Sequence, residues 1–349
     1  MRSAPTPVVK NPGIVFTFPG QGSYSHTILR ELYTSFPETL NYFHQANDIG
    51  REYLKGDFLS LVLATSDKEH DERLRACPDL DQIGIYLTEV LVAKILMESG
   101  VKPALLVGHS FGELAGLAMA GAYSIETGVK IVCHRVLALQ SMAQAGAMAA
   151  VSSDPERLRQ CIEESGRTSI EVSVINHPRQ AVVSGRPSDL DALATIANRQ
   201  GISLTVLKSR YPYHSSFLAG AVAPFRAALE AYDFTPASIP VYLCMEGMLY
   251  SPGSDLAQIL SSQFVRTLDF SKVVSTLYDS GYRTFIECGA GNIATRLIGQ
   301  NLIAKADEIE AFAVTPLDGS VRQGRDALLA RGFGKKGTTP PPKDAAQLL

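Results

Sequence analysis

The spacing of apolar residues along the chain changes between two periods, one typical of strands and the other typical of amphipathic helices. Gly13 to Phe18 is a short β-rich run that leads into a glycine-containing loop. Apolar residues recur at helical spacing over residues 27–46 and again over 82–99, and a second short apolar run occupies 104–107. Because strand and helix alternate, the pattern predicts a parallel, doubly wound α/β sheet.

A region of shorter elements begins at about residue 146. The pattern predicts four strands and two helices there, in the order β-α-β-β-α-β, at residues 147–151, 154–165, 170–175, 181–184, 188–200 and 204–208. This order is that of a ferredoxin-like unit, which is small enough to be an insertion in a larger sheet domain. Strands at 239–245 and 284–288, with a helix at 269–280 between them, are expected to rejoin the main sheet.

These elements divide the chain into three predicted regions. Residues 1–145 together with 213–320 form the large domain, and residues 146–212 form the inserted subdomain. The end of the chain is rich in glycine, proline and charged residues, a composition that cannot bury a core. We therefore predict a flexible tail at residues 321–349.

The most informative motif is Gly-His-Ser-Phe-Gly-Glu at residues 108–113, between an apolar run and a helix-forming stretch. Gly-x-Ser-x-Gly between a strand and a helix is a nucleophile elbow, which exposes the serine at a sharp turn. Ser110 is therefore the candidate nucleophile. The pattern as a whole predicts an α/β-hydrolase-like parallel sheet domain with an inserted ferredoxin-like subdomain. The alternative is a tight strand-to-helix turn that contains an incidental serine.

Composition and charge exclude several classes of function. The chain has 349 residues, of which 46% are hydrophobic and 19% charged, and its net charge is −3, so it lacks the basic excess that favours nucleic-acid binding. Its 5 cysteines are odd in number and far apart, which predicts neither a disulfide framework nor a zinc site. We find no signal-type segment and no apolar run of membrane-spanning length. We expect a cytoplasmic protein that does not contact membranes.

A serine nucleophile needs a general base, which is commonly histidine. The chain has 7 histidines, and His214 lies where the predicted insertion returns to the main sheet. Clefts commonly form at such junctions between domains. Taken alone, a histidine next to tyrosines is more often structural.

Four segments together resemble those of the malonyl-coenzyme A:acyl carrier protein transacylases and the acyltransferase domains of polyketide and fatty acid synthases. They are Phe-Pro-Gly-Gln-Gly-Ser at 18–23, the elbow at 108–113, Tyr-His-Ser at 213–215, and Glu-Cys-Gly-Ala-Gly at 287–291, where alanine replaces the family's proline. The resemblance covers roughly residues 14–305.

This resemblance implies a catalytic set. Ser110 would attack a thioester carbonyl, and His214 would take its proton and later activate an incoming thiol. The backbone amides of Gln21 and Phe111 would stabilise the oxyanion. Gln263 matches the position whose backbone carbonyl orients the histidine, although its place in the chain would otherwise suggest a surface helical residue.

The resemblance also implies a substrate-binding set. Arg135 matches the arginine that pairs with the free carboxylate of malonyl-type substrates, whereas by position alone it would be a solvated helix arginine. His109 and Asn176 match positions near the acyl pocket, or else are turn residues that bond to local backbone. Tyr211 and Tyr213 occupy the segment that varies with acyl selectivity. A bulky Tyr213 favours malonyl over α-substituted units, and a longer acyl chain stays possible.

The leading hypothesis is an acyltransferase that moves a malonyl-type group from coenzyme A to the phosphopantetheine thiol of an acyl carrier protein, in polyketide or fatty acid biosynthesis. Coenzyme A thioester and phosphopantetheine would be substrates, and we expect no tightly bound cofactor and no metal. We expect a monomer. Because carrier proteins are typically acidic, we also expect a basic patch near the cleft.

Three alternatives remain at this point. The chain could transfer an atypical acyl chain from carrier to carrier, hydrolyse acyl thioesters, or act as a non-catalytic scaffold that binds a carrier protein. A discrete enzyme acting in trans and an excised domain of a larger synthase are equally compatible with the sequence.

Overall fold

The computed structural model describes residues 12–143, 145–316 and 319–334. The strands are β1 (Ile14–Phe18), β2 (Pro103–Gly108), β3 (Ala147–Val151), β4 (Glu171–His177), β5 (Gln180–Gly185), β6 (Leu204–Val206), β7 (Val241–Leu243), β8 (Met248–Leu249), β9 (Leu268–Asp269), β10 (Thr284–Ala290) and β11 (Glu310–Thr315). The α-helices are α1 (His26–Ser35), α2 (Leu40–Leu54), α3 (Phe58–Val62), α4 (Asp67–Ala76), α5 (Leu80–Glu98), α6 (Glu113–Met119), α7 (Ile125–Gln140), α8 (Pro155–Ser165), α9 (Pro187–Arg199), α10 (Ala219–Leu229), α11 (Leu256–Ser262), α12 (Phe270–Asp279), α13 (Ile293–Asn301) and α14 (Val321–Ala330).

The larger sheet has six strands in the order β11-β10-β1-β2-β7-β8. The first five are parallel to their neighbours, and β8 pairs antiparallel with β7. Strands β1, β2 and β10 are buried at every position because helices cover both faces of a parallel sheet, which explains their mostly apolar sequences. The predicted α/β-hydrolase-like domain is confirmed.

Helix α5 lies at the centre of this domain, packed against β10 and helices α1, α6 and α7. Residues on almost every side of it are buried, as is typical of a helix within the core rather than at the surface. Gln82 and Glu89 are two of the buried polar residues in this mostly apolar helix. Each of them contacts a part of the site described below.

The smaller sheet has five strands in the order β6-β3-β5-β4-β9. The chain from β3 to β6 follows the predicted β-α-β-β-α-β order, and a separate apolar core lies between residues 149 and 202. Strand β9, from outside the predicted insertion, pairs in parallel with β4. The small subdomain is thus present, whereas its boundaries at residues 146 and 212 stay a prediction.

One predicted helix is interrupted. The helical spacing over residues 27–46 corresponds to α1 and the start of α2, which are separated by a short 3₁₀ turn at Pro37–Thr39. Proline disfavours helical geometry in the residue before it, so Phe36 leaves the helix and α2 begins anew at Leu40.

The predicted tail is wrong at its beginning, because residues 321–330 form helix α14. Val321 and Leu328 are buried on the same face, seven residues apart, and the helix packs against β11 and α5. The Val321 N–H donates a hydrogen bond to Glu31 Oε2 at 2.9 Å. The glycine- and proline-rich composition begins only after this helix, and residues 335–349 lie outside the described part of the chain.

Candidate active site

Ser110 lies at the sharp turn between strand β2 and helix α6. Its φ of +54° is in the left-handed region, which costs a non-glycine residue about 1 kcal/mol or more. A Cβ atom at Gly108 would lie 2.0 Å from the Glu113 nitrogen, so a side chain at this position would collide with the backbone. The structure therefore contains the nucleophile elbow that the sequence predicts.

Ser110 and His214 form a hydrogen-bonded pair, although 104 residues separate them in the chain. Ser110 Oγ lies 2.6 Å from His214 Nε2, and His214 Nδ1 lies 2.9 Å from the backbone carbonyl oxygen of Arg266. Because a carbonyl oxygen only accepts, Nδ1 carries the proton of the neutral ring and Nε2 has the free lone pair. The ring is thus oriented to accept the serine proton.

The carbonyl nearest to His214 belongs to Arg266 rather than to Gln263, which corrects the expectation from the resemblance. The Gln263 backbone acts on His214 more weakly. Gln263 is the C-cap residue of helix α11, and Arg266 lies three residues further along the chain. The Gln263 side chain instead donates to the buried Glu113 carboxyl group, which also accepts the Cys244 N–H at 2.5 Å. Gln263 therefore ties this turn to the first residue of the elbow helix.

Burial controls the protonation of His214, which is 5% exposed. Loss of hydration lowers its pKa from 6.5 to about 4, the Arg266 carbonyl opposes this shift, and the nearby His109 and Arg135 add to it. The imidazole is therefore neutral at neutral pH. A neutral imidazole is the form that a general base requires.

We predict that acylation of Ser110 loses its rate only well below pH 6.5. Protonation of Nε2 removes the lone pair that accepts the serine proton, and the lowered pKa of His214 moves this event towards about 4. Single-turnover acylation measured by rapid quench between about pH 8 and pH 5 should vary less than about threefold. An acidic limb with a midpoint near 6.5 would contradict the buried, neutral state of His214.

The loop between β1 and α1 approaches the elbow closely. Gly20 has a φ of +71°, and a Cβ atom there would lie 2.4 Å from the His109 carbonyl oxygen. Only glycine allows this approach. Gln21, the next residue, lines the same cavity as Ser110. The oxyanion-binding role expected of the Gln21 and Phe111 amides stays a prediction.

Arg135 is buried in helix α7 and is not the solvated arginine that its position alone suggested. Its Nη1 donates to Gln82 Oε1. Its guanidinium carbon lies 4.9 to 5.3 Å from the ring centres of Tyr213, Phe111 and Phe264, within cation–π distance. Among the described residues, no carboxylate forms an ion pair with Arg135. Asp79 and Asp81 interact with it only electrostatically, without a close contact. A buried cation that no carboxylate contacts directly favours an anionic ligand.

A cavity of about 360 Å³ surrounds the Ser110–His214 pair, within the size range of small-molecule sites. It lies between the two sheets. The predicted site residues in its wall are Gln21, His109, Ser110, Asn176, Tyr213 and His214. The other four, which are not part of the wall, are Phe111, Arg135, Tyr211 and Gln263. The wall also has apolar residues from the small subdomain and α13, namely Met148, Val174, Val182, Leu207, Ile293 and Leu297.

His109 and Asn176 form one polar wall of this cavity rather than separate turns. His109 Nε2 lies 3.1 Å from Asn176 Oδ1, and Asn176 Nδ2 donates to Gln180 Oε1 at 3.0 Å. Asn301 Nδ2 donates to the Asn176 carbonyl at 2.8 Å. Burial lowers the pKa of His109 to about 4, so this ring is neutral as well. The contacts join the large domain to the small sheet beside Ser110.

Tyr213 and Tyr211 have different surroundings. Tyr213 lines the cavity and stacks on Arg135, as expected of a residue that limits the acyl group. Tyr211 is buried, and its hydroxyl donates to Asp79 Oδ1 at 3.2 Å. Asp79 also pairs with Arg210 Nη1 at 3.2 Å. Tyr211 therefore packs behind Tyr213, and its predicted contact with substrate is not supported by this arrangement.

A family model described as acyl transferase domain matches residues 15–327. The chain belongs to this acyltransferase family. The resemblance inferred from four sequence segments is thereby confirmed.

Similar proteins include both discrete enzymes and parts of large synthases. The malonyl CoA-acyl carrier protein transacylase of Bacillus subtilis is 29% identical over 82% of this chain and 89% of its own length. Hispidin synthase of Neonothopanus nambi is 26% identical over 88% of this acyltransferase, which spans only 19% of that synthase. The acyltransferase domain from module 8 of the salinomycin polyketide synthase is 26% identical, with a TM-score of 0.82 over 94% of this chain and 76% of that domain.

Several residues of the acyltransferase site are not evident from the sequence. The Arg266 carbonyl has no sequence signal, because every residue carries one. Gln82 and Glu89 do have a signal, since each is a polar residue within the apolar period of α5. Lys208 and Arg296 are exposed residues that line the cavity. Neither forms an ion pair within the part of the chain that the structure describes.

The sequence predicts no apolar run long enough to span a membrane. Across the described ranges of this acyltransferase, no helix is both long and apolar enough to span a bilayer.

Proposed function

We propose that this acyltransferase moves a malonyl-type group from coenzyme A to the phosphopantetheine thiol of an acyl carrier protein, through an ester on Ser110. The similarity to the Bacillus subtilis malonyl transacylase over 89% of that protein's length supports the substrate class. The buried guanidinium of Arg135, which forms no ion pair with the described residues, supports a substrate with a free carboxylate. These two observations are independent of each other.

The first half-reaction forms the acyl-enzyme. Ser110 Oγ attacks the thioester carbonyl carbon while its proton moves to His214 Nε2. The oxyanion is stabilised by the Gln21 and Phe111 amides, each worth about 3 kcal/mol. The carbon–sulfur bond then breaks, and the imidazolium of His214 returns its proton to the coenzyme A sulfur. The Arg266 carbonyl keeps the ring in position throughout.

The second half-reaction reverses these steps with a different thiol. His214 Nε2 takes the proton of the phosphopantetheine thiol, whose sulfur attacks the ester carbon on Ser110. The bond between the carbonyl carbon and Ser110 Oγ breaks, and the serine recovers its proton from His214. The acyl group leaves as a carrier-bound thioester, so no cofactor is needed.

The observation that carries this proposal is the 2.6 Å contact between Ser110 Oγ and His214 Nε2 inside a cavity. Intact-mass measurement after incubation with malonyl-coenzyme A tests it. Wild type should gain one malonyl group, Ser110→Ala should gain none, and holo-carrier protein should remove the group from wild type. Failure of wild type to gain mass, while an established malonyl transacylase does so under the same conditions, would reject malonyl-coenzyme A as donor.

One observation favours a second candidate, transfer of a longer acyl chain. Part of the cavity wall is apolar, from Met148 and Val182 of the small sheet to Leu297 of α13. An apolar wall stabilises methylene groups by about 0.8 kcal/mol for each one buried. A panel of acyl-coenzyme A and acyl-carrier donors separates the candidates, because this alternative expects faster labelling as the chain lengthens and the leading proposal expects malonyl to be fastest.

The same measurements distinguish transfer from hydrolysis. An acyl-thioester hydrolase would release free acid from the Ser110 ester at a rate that the carrier protein does not change. The proposed transferase should keep the ester for much longer until a thiol acceptor is added. Release of free acid without accumulation of the ester would favour the hydrolase.

Lys208 and Arg296 at the cavity are the basic residues that we propose for carrier recognition. Both are exposed and line the cavity from the small subdomain and α13. Lys208→Glu and Arg296→Glu should each raise the KM for carrier protein by about 3- to 10-fold, because charges at an interface edge mainly set the rate of association. The effect should shrink as salt is added.

A matched control is Arg159→Glu, which reverses an exposed charge on α8 that does not line the cavity. It should leave the carrier KM unchanged. Equal effects of all three variants would indicate a general charge effect and no localised patch. We further propose a cytoplasmic monomer without a tightly bound cofactor, for which sedimentation of the purified protein measures the oligomeric state.

A further inference from the structure

Glu89 is a fully buried acid in the middle of helix α5 that the catalytic steps above do not use. Its Oε1 accepts the backbone N–H of Gly20 at 2.6 Å. Its Oε2 has no hydrogen-bond partner among the residues that the structure describes. Burying a carboxyl group with one unpaired oxygen is costly, so this contact is unlike ordinary core packing.

The Gly20 amide is a sensitive place for such a contact. Gly20 immediately precedes Gln21, whose amide is the proposed oxyanion donor, and its φ of +71° sets the direction of the following peptide group. Glycine has unusually broad conformational freedom. A fixed acceptor on its N–H removes part of that freedom and holds the loop between β1 and α1 against the elbow.

The charge state of Glu89 suits this position. Burial raises the pKa of Glu89 well above 4.5, the nearby Glu287 adds to this shift, and the hydrogen bond from Gly20 opposes it, so the balance favours the protonated acid. In the protonated form, the Gly20 N–H donates to Oε1 as the carbonyl oxygen, and Oε2 carries the proton. A neutral acceptor fixes the loop without placing a negative charge beside the developing oxyanion.

We infer that Glu89 is a positioning residue that holds the Gly20–Gln21 loop in the conformation that directs the Gln21 amide at the oxyanion. This inference rests on the proposed acyl-Ser110 mechanism. Glu89 touches neither substrate nor reacting atoms, so its effect must act through Gly20. Preorganised donors lower the barrier because they need no reorganisation during the reaction.

The role predicts a specific ranking of variants. Glu89→Gln keeps a carbonyl oxygen for the Gly20 N–H, and its acylation rate should remain within about threefold of wild type. Glu89→Met fills similar volume without an acceptor, and its single-turnover acylation at saturating donor should fall by about 10- to 100-fold, less than the loss of an entire oxyanion donor. Donor affinity should change by less than about twofold.

The neighbouring Thr88 supplies a matched control. It is buried in the same helix, and its Oγ1 has no hydrogen-bond partner within the described ranges. Thr88→Val removes a buried polar atom without touching the loop and should leave the acylation rate unchanged. Glu89→Asp is measured alongside, because its shorter side chain keeps a buried acid but moves the acceptor away from the Gly20 N–H. If Glu89→Met does not fold, Glu89→Asp replaces it in the comparison.

A second reagent separates this inference from the proposed function. A fluorophosphonate also modifies an activated serine, and its phosphoryl oxygen needs the same amide donors. If malonyl-coenzyme A labels no form of the protein but the fluorophosphonate reacts with wild type and slowly with Glu89→Met, the substrate proposal fails and the positioning role stands. The role is rejected if folded Glu89→Met reacts as fast as wild type, or if Glu89→Gln is impaired as much as Glu89→Met.

Discussion

Replacing His214 with alanine is expected to slow the acylation of Ser110 by about 10²- to 10⁴-fold, the range of rate enhancement that a positioned general base supplies. The structure gives the reason, because His214 Nε2 accepts directly from Ser110 Oγ and the Arg266 carbonyl fixes the ring tautomer. Rapid-quench measurement of the acyl-enzyme at saturating malonyl-coenzyme A isolates this step from carrier binding.

His134→Ala is the matched control for this experiment. His134 is a partly buried histidine outside the site: its Nε2 contacts the Tyr232 hydroxyl at 3.0 Å, and it does not line the cavity. This variant should acylate within about threefold of wild type, since remote sites contribute little to the chemical step. If His214→Ala formed the ester at the wild-type rate, another base would have to be sought in the cavity.

Arg135→Ala is expected to reduce kcat/KM for malonyl-coenzyme A by about 10²- to 10³-fold, as leaving a buried carboxylate unpaired costs about 2–5 kcal/mol. Arg135 is buried, is anchored by Gln82 and has no ion-pair partner among the residues described. Arg135→Lys should recover only part of the activity, because an ammonium group does not make the two-point contact of a guanidinium.

The choice of donor makes the Arg135 experiment specific. Acetyl-coenzyme A lacks the free carboxylate, so its slower transfer should fall far less in Arg135→Ala than malonyl transfer does. Thermal unfolding of the same variant shows whether loss of the contacts with Phe111, Tyr213 and Phe264 has disturbed the core. Equal losses for both donors in a folded variant would show that Arg135 supports the fold and does not select the carboxylate.

The three rings around Arg135 also bear on acyl selectivity. Tyr213 is part of the cavity wall around Ser110, and both Tyr213 and Phe111 contact the Arg135 guanidinium, so bulky rings surround the place where a free carboxylate would bind. An α-substituent on the acyl group would add volume at this crowded place. The sequence-based preference for an unsubstituted malonyl unit stays a prediction.

Much of the site could be predicted because it depends on short stretches of sequence. The elbow needs glycine at 108, where a side chain would collide with the turn, and the order of elements in the small subdomain follows from its local apolar period. The sequence did not predict helix α14, because the glycine- and proline-rich residues after it dominate the composition of this region and the apolar pair Val321 and Leu328 is too small a signal beside them. Pro37, by contrast, does indicate in the sequence that the helical region 27–46 is divided into helices α1 and α2.

The sequence by itself identified Ser110 as the nucleophile and predicted its strained turn and the alternation of strand and helix. Each of these features depends on residues that are close together in the sequence. Only the tertiary structure decided that the Arg266 carbonyl orients His214, that aromatic rings surround Arg135, and that Glu89 holds Gly20. The physical reason is that backbone carbonyls are identical at every position. Contacts between residues that are distant in sequence, such as Glu89 and Gly20, depend on how helices and loops pack against one another. No local sequence pattern predicts that packing.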